Sequence, residues 1–430
     1  MTAAEQGEIL IAFGSQTGTA ERKARNAALA LQQGGVRAEA VGLNKLTAER
    51  LAGARRMLFV VSSYGNGEPP DMARGFYYRI VSTPLDLSHI DYGLLALGDA
   101  GYPDFCGFGR KIERWLDRSG AKAMFETITM DREAADADAA WQERLRALGA
   151  SDATRGRQDL PFAPWTLVAR AALNPDSGHQ TAFHLRFEPA AGRESRWEAG
   201  DIVEVQIPAA PGTALPGAPP PLREYSAASI PADGTLDLVV RQVRHGDGSL
   251  GLGSGWLTDG IATGGIVAGG IATGGGTALL RIRPNPGFRA PVNGRPLILI
   301  GNGTGIAGLR AHLRQQGHEG GKGHWLFFGE RQRAHEAFFD AELSGWLADG
   351  TLARLERAYS RDGDCGRYVQ HLVAAAGDEI RERVERGALI LVCGSMQGMA
   401  EGVQAALAGI FGEAELRRLA EAERYKRDVY

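Results

Sequence analysis

Cysteine is almost missing from this sequence: Cys106, Cys365 and Cys393 are the only three in 430 residues, scattered and without a CxxC spacing. An odd, scattered set supports neither a disulfide framework nor a zinc site. An excess of one charge is missing too. The 48 Lys and Arg face 51 Asp and Glu, a net charge of -3, so the basic footprint of a nucleic-acid partner is lacking. No apolar stretch approaches the length that spans a bilayer, and the opening MTAAEQGEIL has no charged segment followed by an apolar one. A cytoplasmic protein without a membrane anchor is expected. The last absence is a lysine. The loop in EILIAFGSQTGTAERKARNAALALQ lies between an apolar run and a helix-like segment, but lacks the Gly-Lys-Ser/Thr that reaches the end of a bound triphosphate.

What is present is an ordinary globular chain, 44% apolar and 23% charged, long enough for two to four domains. Over residues 1–150 the runs ILIAF, MLFVVSS and YGLLALG alternate with amphipathic stretches such as ERKARNAALALQ and GRKIERWLDRSG, the pattern of a doubly wound parallel sheet. SDATRGRQD has no periodicity, and 151–160 reads as a linker. Over 161–290 the segments WTLVARAAL, TAFHLRFE, DIVEVQIP, LDLVVRQV and ALLRIRP alternate with period two between Gly, Pro and Asp, predicting a small antiparallel barrel. Over 291–430 the βα pattern returns with PLILIGNGTG, HWLFFGE, LARLERAYS and LILVCGS, predicting a second parallel sheet. GIATGG recurs ten residues apart and reads as a slipped duplication in a flexible loop between barrel strands.

In GSQTGTAE the hydroxyls of Ser15, Thr17 and Thr19 and the backbone N–H groups around Gln16 and Gly18 converge on a helix start, where the dipole and unsatisfied donors favour a dianion. A single terminal phosphate suits that site; alone, the same turn is also a capping motif. Two further loops end later strands. SSYGNGEPPD holds Ser63, Tyr64, Gly65 and Gly67, and GDAGYPDFCGFG holds Gly98, Asp99, Tyr102, Phe105 and Cys106. Each puts a tyrosine among turn formers, where an exposed aromatic is costly unless it stacks on something flat. Ligands of open α/β sheets sit in the crevice at these strand ends.

In PLREYSAAS, Arg223, Tyr225 and Ser226 offer a phosphate partner, a stacking ring and a hydroxyl. GLGSGWL follows with Gly251, Gly253 and Ser254 at a helix start, a second pyrophosphate cradle. PLILIGNGTGIAGLRAHL then gives strand, glycine turn with Gly303, Thr304 and Gly305, and helix, in the order of a dinucleotide site. Glu330, ending the next strand, taken literally argues for NADH. Ser360, Arg361, Arg367, Tyr368 and Gln370 in AYSRDGDCGRYVQ form a cluster able to bind an extra 2'-phosphate, and NADPH is favoured.

The N-terminal third resembles a flavodoxin-type FMN domain. The remainder, with VCGSMQGMAEGV and the ending RYKRDVY, resembles the ferredoxin–NADP reductase module of the diflavin reductases, the family of the sulfite reductase flavoprotein subunit and the microsomal NADPH-cytochrome reductases. The resemblance implies a flavodoxin-like sheet, an FAD-binding β-barrel and an α/β NADP-binding domain. It implies that Ser15 to Thr19 hold the FMN phosphate, that Tyr64 and Tyr102 flank the flavin, and that Asp131 lies near it. It places Cys393 beside the nicotinamide, with Ser226 and Asp428 completing the hydride-transfer site and Tyr430 covering the FAD ring. Departures accompany it. Only AAPGTALPGAPP stands where larger relatives insert a helical connecting domain, Gly308 and Leu309 replace the usual Pro-Phe, which would loosen packing at the nicotinamide, and no Asp follows Gly394.

NADPH gives up two electrons as a hydride, whereas haem and iron–sulfur acceptors take one, so flavins mediate. The implied activity is electron transfer from NADPH through FAD and FMN to a separate metalloprotein, first a sirohaem iron–sulfur subunit of sulfite reductase, alternatively another haemoprotein. A flavin-binding redox sensor that does not turn over is the rival from another class.

Overall fold

A computed structural model describes residues 8–83, 85–131, 134–151, 161–178, 180–189, 196–208, 220–261, 271–272, 276–362 and 367–430. Almost all of the expected linker, the Pro- and Ala-rich stretch, most of the GIATGG repeat and Cys365 lie outside the described residues. The chain divides into two units, Met1–Asp159 with Arg417–Glu423, and Leu160–Leu416 with Arg424–Tyr430.

In the first unit the apolar runs become parallel strands β1 (Ile9–Gly14), β2 (Ala38–Gly42), β3 (Arg56–Ser62), β4 (Asp91–Gly98), β5 (Lys122–Ala123) and β6 (Ile128–Asp131), ordered β2-β1-β3-β4-β5 with β6 also on β4. Between them run α1 (Thr19–Gln33), α2 (Ala48–Gly53), α3 (Asp71–Phe76), α4 (Gly107–Arg118) and α5 (Ala135–Ala147). Strands covered on both faces must be apolar throughout, and alternation divides the side chains. Ile9, Ile11, Phe13, Leu58 and Val60 pack with Ala20, Ala24 and Leu31 of α1 and Trp141 of α5. Leu10, Ala12, Met57, Phe59 and Val61 pack on the other face with Phe76, Phe108 and Trp115.

The second unit begins with antiparallel strands β7 (Ala163–Ala172), β8 (Ala182–Pro189), β9 (Ile202–Gln206), β10 (Leu222–Ser226), β11 (Leu236–Arg241), β12 (Ile271–Ala272) and β13 (Thr277–Arg283), ordered β10-β9-β13-β7-β8-β11 with β12 on β7. The outermost strands, β10 and β11, approach each other as a barrel requires. A short helix, α6 (Leu252–Gly255), follows β11. Then come β14 (Leu297–Asn302), α7 (Ile306–His318), β15 (His324–Glu330), α8 (Asp340–Ala348), β16 (Leu352–Tyr359), α9 (Val369–Ala375), α10 (Gly377–Glu385), β17 (Leu389–Gly394), α11 (Glu401–Phe411) and β18 (Tyr425–Val429), while α12 (Glu413–Glu421), ahead of β18 in the chain, falls mostly in the first unit. Their strands form a parallel sheet ordered β16-β15-β14-β17-β18.

The barrel and this sheet share one core. Ala182, Ala228, Val239 and Phe288 pack with Leu297, Leu299, Leu309 and Leu391. Arg310 of α7 crosses the seam, donating to the carbonyl of Ala228 and, at 3.1 Å, to Asp237 Oδ2, which His184 Nε2 also meets at 2.8 Å. The ending RYKRDVY supplies β18, buried along its length.

In the first unit Trp115 is edge-on to Phe59 and Phe76, with centroids 6.3 and 5.5 Å away. Trp115→Ala is expected to cost about 3–5 kcal/mol, read as a lower urea midpoint for exposure of β3 and β4 amides by hydrogen exchange.

Candidate functional site

The three expected loops of the first unit leave the carboxyl ends of β1, β3 and β4, and the strand order reverses between β1 and β3, where such sheets bind ligands. Gly18, at φ +87°, precedes α1, whose first N–H groups have no partner within the helix. Several side chains in these loops brace the backbone. Ser15 Oγ accepts from the Ala20 N–H at 3.2 Å. The Gln16 amide donates to Asp71 Oδ2 at 3.2 Å and accepts from the Asp71 N–H at 2.9 Å, fastening the loop to α3. Thr17 and Thr19 remain half-buried at the loop surface.

The next two loops interlock. Ser63 Oγ accepts from the Phe108 N–H at 3.0 Å, and Lys111 Nζ donates to the Gly67 carbonyl at 2.7 Å. Gly67 sits at φ +76°, and a Cβ there would stand 2.0 Å from Asp104 Oδ2. Tyr64 is buried rather than exposed, because its backbone pairs in both directions with Glu68 around the Gly65 turn. Tyr102 and Phe105 are half-buried. Asp99 Oδ1 accepts from the Gly101 N–H at 2.8 Å, and Asp131 Oδ1 accepts from the Ala100 N–H at 3.0 Å, holding the turn after Gly98. Cys106 points inward. Its thiol donates to the Ala96 carbonyl at 3.3 Å, and burial pushes it up to about 11, so it anchors the loop and offers no thiolate.

In the second unit the stem of Arg223 lies over the Gly251–Ser254 turn; a Cβ on Gly253 would stand 2.5 Å from Arg223 Cγ. Strand and turn are thus brought together. Ser254 Oγ accepts from the Val243 N–H at 2.9 Å, which spends the hydroxyl on closing its own turn. Tyr225 is half-buried, and burial pushes its phenol up to about 12.

Ser226, Cys393 and Asp428 meet in the fold. Ser226 Oγ donates to Asp428 Oδ2 at 2.8 Å, and Cys393 Sγ lies 4.0 Å from the same oxygen. All three are buried. Burial pushes Asp428 up to about 6, against the Ser226 hydrogen bond; burial and the Asp428 charge hold the Cys393 thiol well above its usual range. Gly308 does not loosen this junction: a Cβ there would stand 3.3 Å from Cys393 Sγ and 3.2 Å from Phe288, and Leu309 is fully buried.

Beside the junction opens a cavity of about 560 Å³, lined by Gly303 and Thr304 after β14, Glu330 and Arg331 after β15, Ser360, Arg367, Tyr368, Gln370 and Tyr430. Gly305, below the turn, is buried. Tyr430, half-exposed, is pinned by its backbone to Gly394 and Met396 and donates its hydroxyl to Thr304 Oγ1 at 3.3 Å. Arg361 is exposed and outside the lining; its N–H donates to the Arg331 carbonyl. Arg241 and Asn302 also line the cavity, without a signal in the sequence. Arg241 ends a barrel strand like many arginines, and Asn302 joins β14 to β17 by accepting from the Ser395 N–H at 3.0 Å.

Residues 11–151 match the flavodoxin family model, and residues 299–405 match that of the oxidoreductase NAD-binding domain. The sulfite reductase [NADPH] flavoprotein alpha-component of Neisseria meningitidis serogroup A is 26% identical over 556 aligned positions, covering 99% of this chain and 90% of the relative. The namesake from Bacillus subtilis is 24% identical, covering 98% and 89%, and that from Thiocapsa roseopersicina is 28% identical over 445 positions, covering 94% and 84%. The Neisseria alignment is far longer than this chain, so that relative carries a long stretch without a counterpart here. A flavodoxin domain precedes an oxidoreductase NAD-binding domain, in a chain related along nearly its whole length to sulfite reductase flavoprotein alpha-components.

Proposed function

We propose that the protein is an NADPH-dependent diflavin reductase of the cytoplasm that delivers electrons to the sirohaem iron–sulfur subunit of a sulfite reductase. The observation that carries the reading is the meeting of Ser226, Cys393 and Asp428, from three separate strands or strand ends, beside a cavity lined by the dinucleotide turn.

The residues fit the three cofactors. In the first unit, Ser15, Thr17 and Thr19 with the start of α1 would hold the FMN phosphate, and the loops of Tyr64 and Tyr102 would receive its ring. In the second, Arg223 and the Gly251–Ser254 turn would hold the FAD pyrophosphate, with Tyr225 against the flavin. Gly303 to Gly305 and the cluster of Ser360, Arg367, Tyr368 and Gln370 would hold NADPH. When bound, NADPH supplies a hydride and the flavins convert electron pairs into single electrons.

The chain's own contribution is orientation and charge. Asp428, fixed by Ser226, is neutral below about pH 6 and negative above it, where its charge would favour a cation developing in the adjoining site. Cys393 keeps its proton and acts as a packed wall rather than a nucleophile. Tyr430 closes the cavity from the chain's end.

Denaturing extraction is expected to release both FMN and FAD; a single flavin type would end the proposal. Sulfite-dependent NADPH oxidation is expected only when a sirohaem subunit is added. Cytochrome c reduction without any response to that subunit would move the acceptor to a general haemoprotein, and no turnover with either acceptor would leave a sensor. The rate of flavin reduction by NADPH is expected to rise as pH climbs through about 6, and Asp428→Asn to remove the rise and slow the step about a hundredfold, measured by stopped flow. The same shift acts oppositely on stability: its contribution is full below the unfolded carboxyl value near 4 and is lost as pH rises through about 6. Arg367→Ala is expected to lower the NADPH to NADH ratio of kcat/KM by about tenfold or more; an unchanged ratio would displace the 2'-phosphate from this cluster.

A further inference from the structure

A second cavity, of about 580 Å³, lies wholly within the first unit, in a groove between α4 and the helical turn Tyr77–Val81 that extends α3, and nothing described so far uses it. Lys111, Arg114 and Arg118 of α4 line it. At spacings of three and four residues they share one face of the helix and span about 10 Å along it. The acids of the same helix are engaged on its other side: Glu113 accepts from the Thr127 hydroxyl, and Asp117 Oδ1 accepts from the Tyr92 hydroxyl at 3.0 Å. Across the groove Tyr77, Val81 and Leu85 form an uncharged wall with Ser82 and Thr83. Among the described residues no Asp or Glu lines the cavity.

The cations are left uncompensated. Lys111 Nζ donates to the Gly67 carbonyl at 2.7 Å and Arg118 Nε to the Arg114 carbonyl at 3.1 Å, both neutral acceptors. None of the three cations has an ion pair among the described residues, and the Arg114 guanidinium has no hydrogen bond either. Beneath them Trp115 forms the floor, and its buried Nε1 has no hydrogen-bond partner, one more unanswered donor. Arg114 and Arg118 are exposed and Lys111 is half-buried. A lone small anion gains little from charges this wet. Several carboxylates fixed on one protein surface meet all three cations at once, and their attraction acts before contact, over a screening length of about 10 Å. The Lys111 bond also ties the groove to the Gly67 turn, part of the loop read as receiving the flavin ring. A protein seated here stands beside the exit for single electrons.

We propose that this groove docks an acidic segment of the electron-accepting protein, with carboxylates set along Lys111, Arg114 and Arg118, and so seats that protein beside the flavin loops of the first unit. The inference rests on the reading that the chain passes single electrons to a separate metalloprotein. It adds the sign of the charge by which that protein is recognised.

The test uses the full chain with its flavins, reduced by NADPH, and follows by stopped flow its reoxidation by the sirohaem subunit and by a neutral quinone at increasing salt. With the subunit, the parent rate constant is expected to fall as salt rises. Arg114→Glu with Arg118→Glu is expected to slow it about tenfold or more at low salt and to remove most of the salt dependence. Reduction by NADPH and reoxidation by the quinone are expected to change less than about twofold, which certifies a folded, loaded chain. Arg114→Gln with Arg118→Gln, which removes the charge without reversing it, is expected to fall between. An unchanged rate with the subunit in the charge-reversed chain, or a faster one, would overturn the inference and leave the acceptor reading intact. Equal slowing with subunit and quinone would overturn it as well, since the loss would not be one of docking. Calorimetric binding of inorganic pyrophosphate to the parent, lost in the double variant while the subunit rates stay equal, would give the groove to a small anion instead. A parent chain that reduces the quinone but never the subunit would bring down the acceptor reading, and this inference with it.

Discussion

The meeting of Ser226, Cys393 and Asp428 depends on one strand pairing, β18 lying parallel to β17 with Cys393 beside Asp428. Because successive side chains of a strand face opposite sides, a slip of one residue would turn Asp428 away from Ser226 and leave a buried hydroxyl without its acceptor. The same register carries Tyr430 to Gly394 and Met396, and so over Thr304. A segment at the very end of a chain ordinarily frays. Here all five of its strand residues are buried, which holds the Asp428 carboxylate as firmly as a central strand would.

The second constraint is the seam between barrel and parallel sheet. Ser226 belongs to one layer and Cys393 to the other, and a hydrogen bond across layers keeps its length only if the layers do not slide. A continuous apolar core prevents sliding, reinforced by Arg310, which is buried between Asp237, Glu342 and the Ala228 carbonyl. Removing one partner of such a group leaves an uncompensated charge, so this contact specifies the docking of the layers more than it adds stability.

In the first unit the polar residues divide their labour. Gln16, Ser63, Asp99 and Asp131 hydrogen-bond to the loops themselves, and the proposed phosphate is met by the backbone N–H groups that these side chains position. A phosphate without a side-chain cation needs N–H groups in fixed positions, and bracing side chains supply that fixity. The buried Tyr64 fits the same economy: a loop whose aromatic is packed starts from fewer conformations.

Much of this was legible in the sequence, and for a common reason. The apolar runs at Ile9, Arg56 and Asp91, the period-two barrel strands and the glycine turn at Gly303 are local patterns, and pleat, helix period and turn chemistry act over a few neighbouring residues. The phosphate loop could be placed at a helix start for the same reason. Local chemistry did not place β2, whose AEAVG is short and partly exposed, nor the strand at Tyr425. Nor did it show that Tyr64 and Cys106 turn inward, that Ser254 is consumed by its own turn, or that Arg241 reaches Glu330. Those outcomes depend on which strands become neighbours and in what register, and on contacts that range from Tyr64 with Glu68 to Arg241 with Glu330. The amino-acid order determined the elements and the kinds of chemistry this chain carries; only the packed tertiary structure decided which side chains share a site, because burial and register are properties of the whole core.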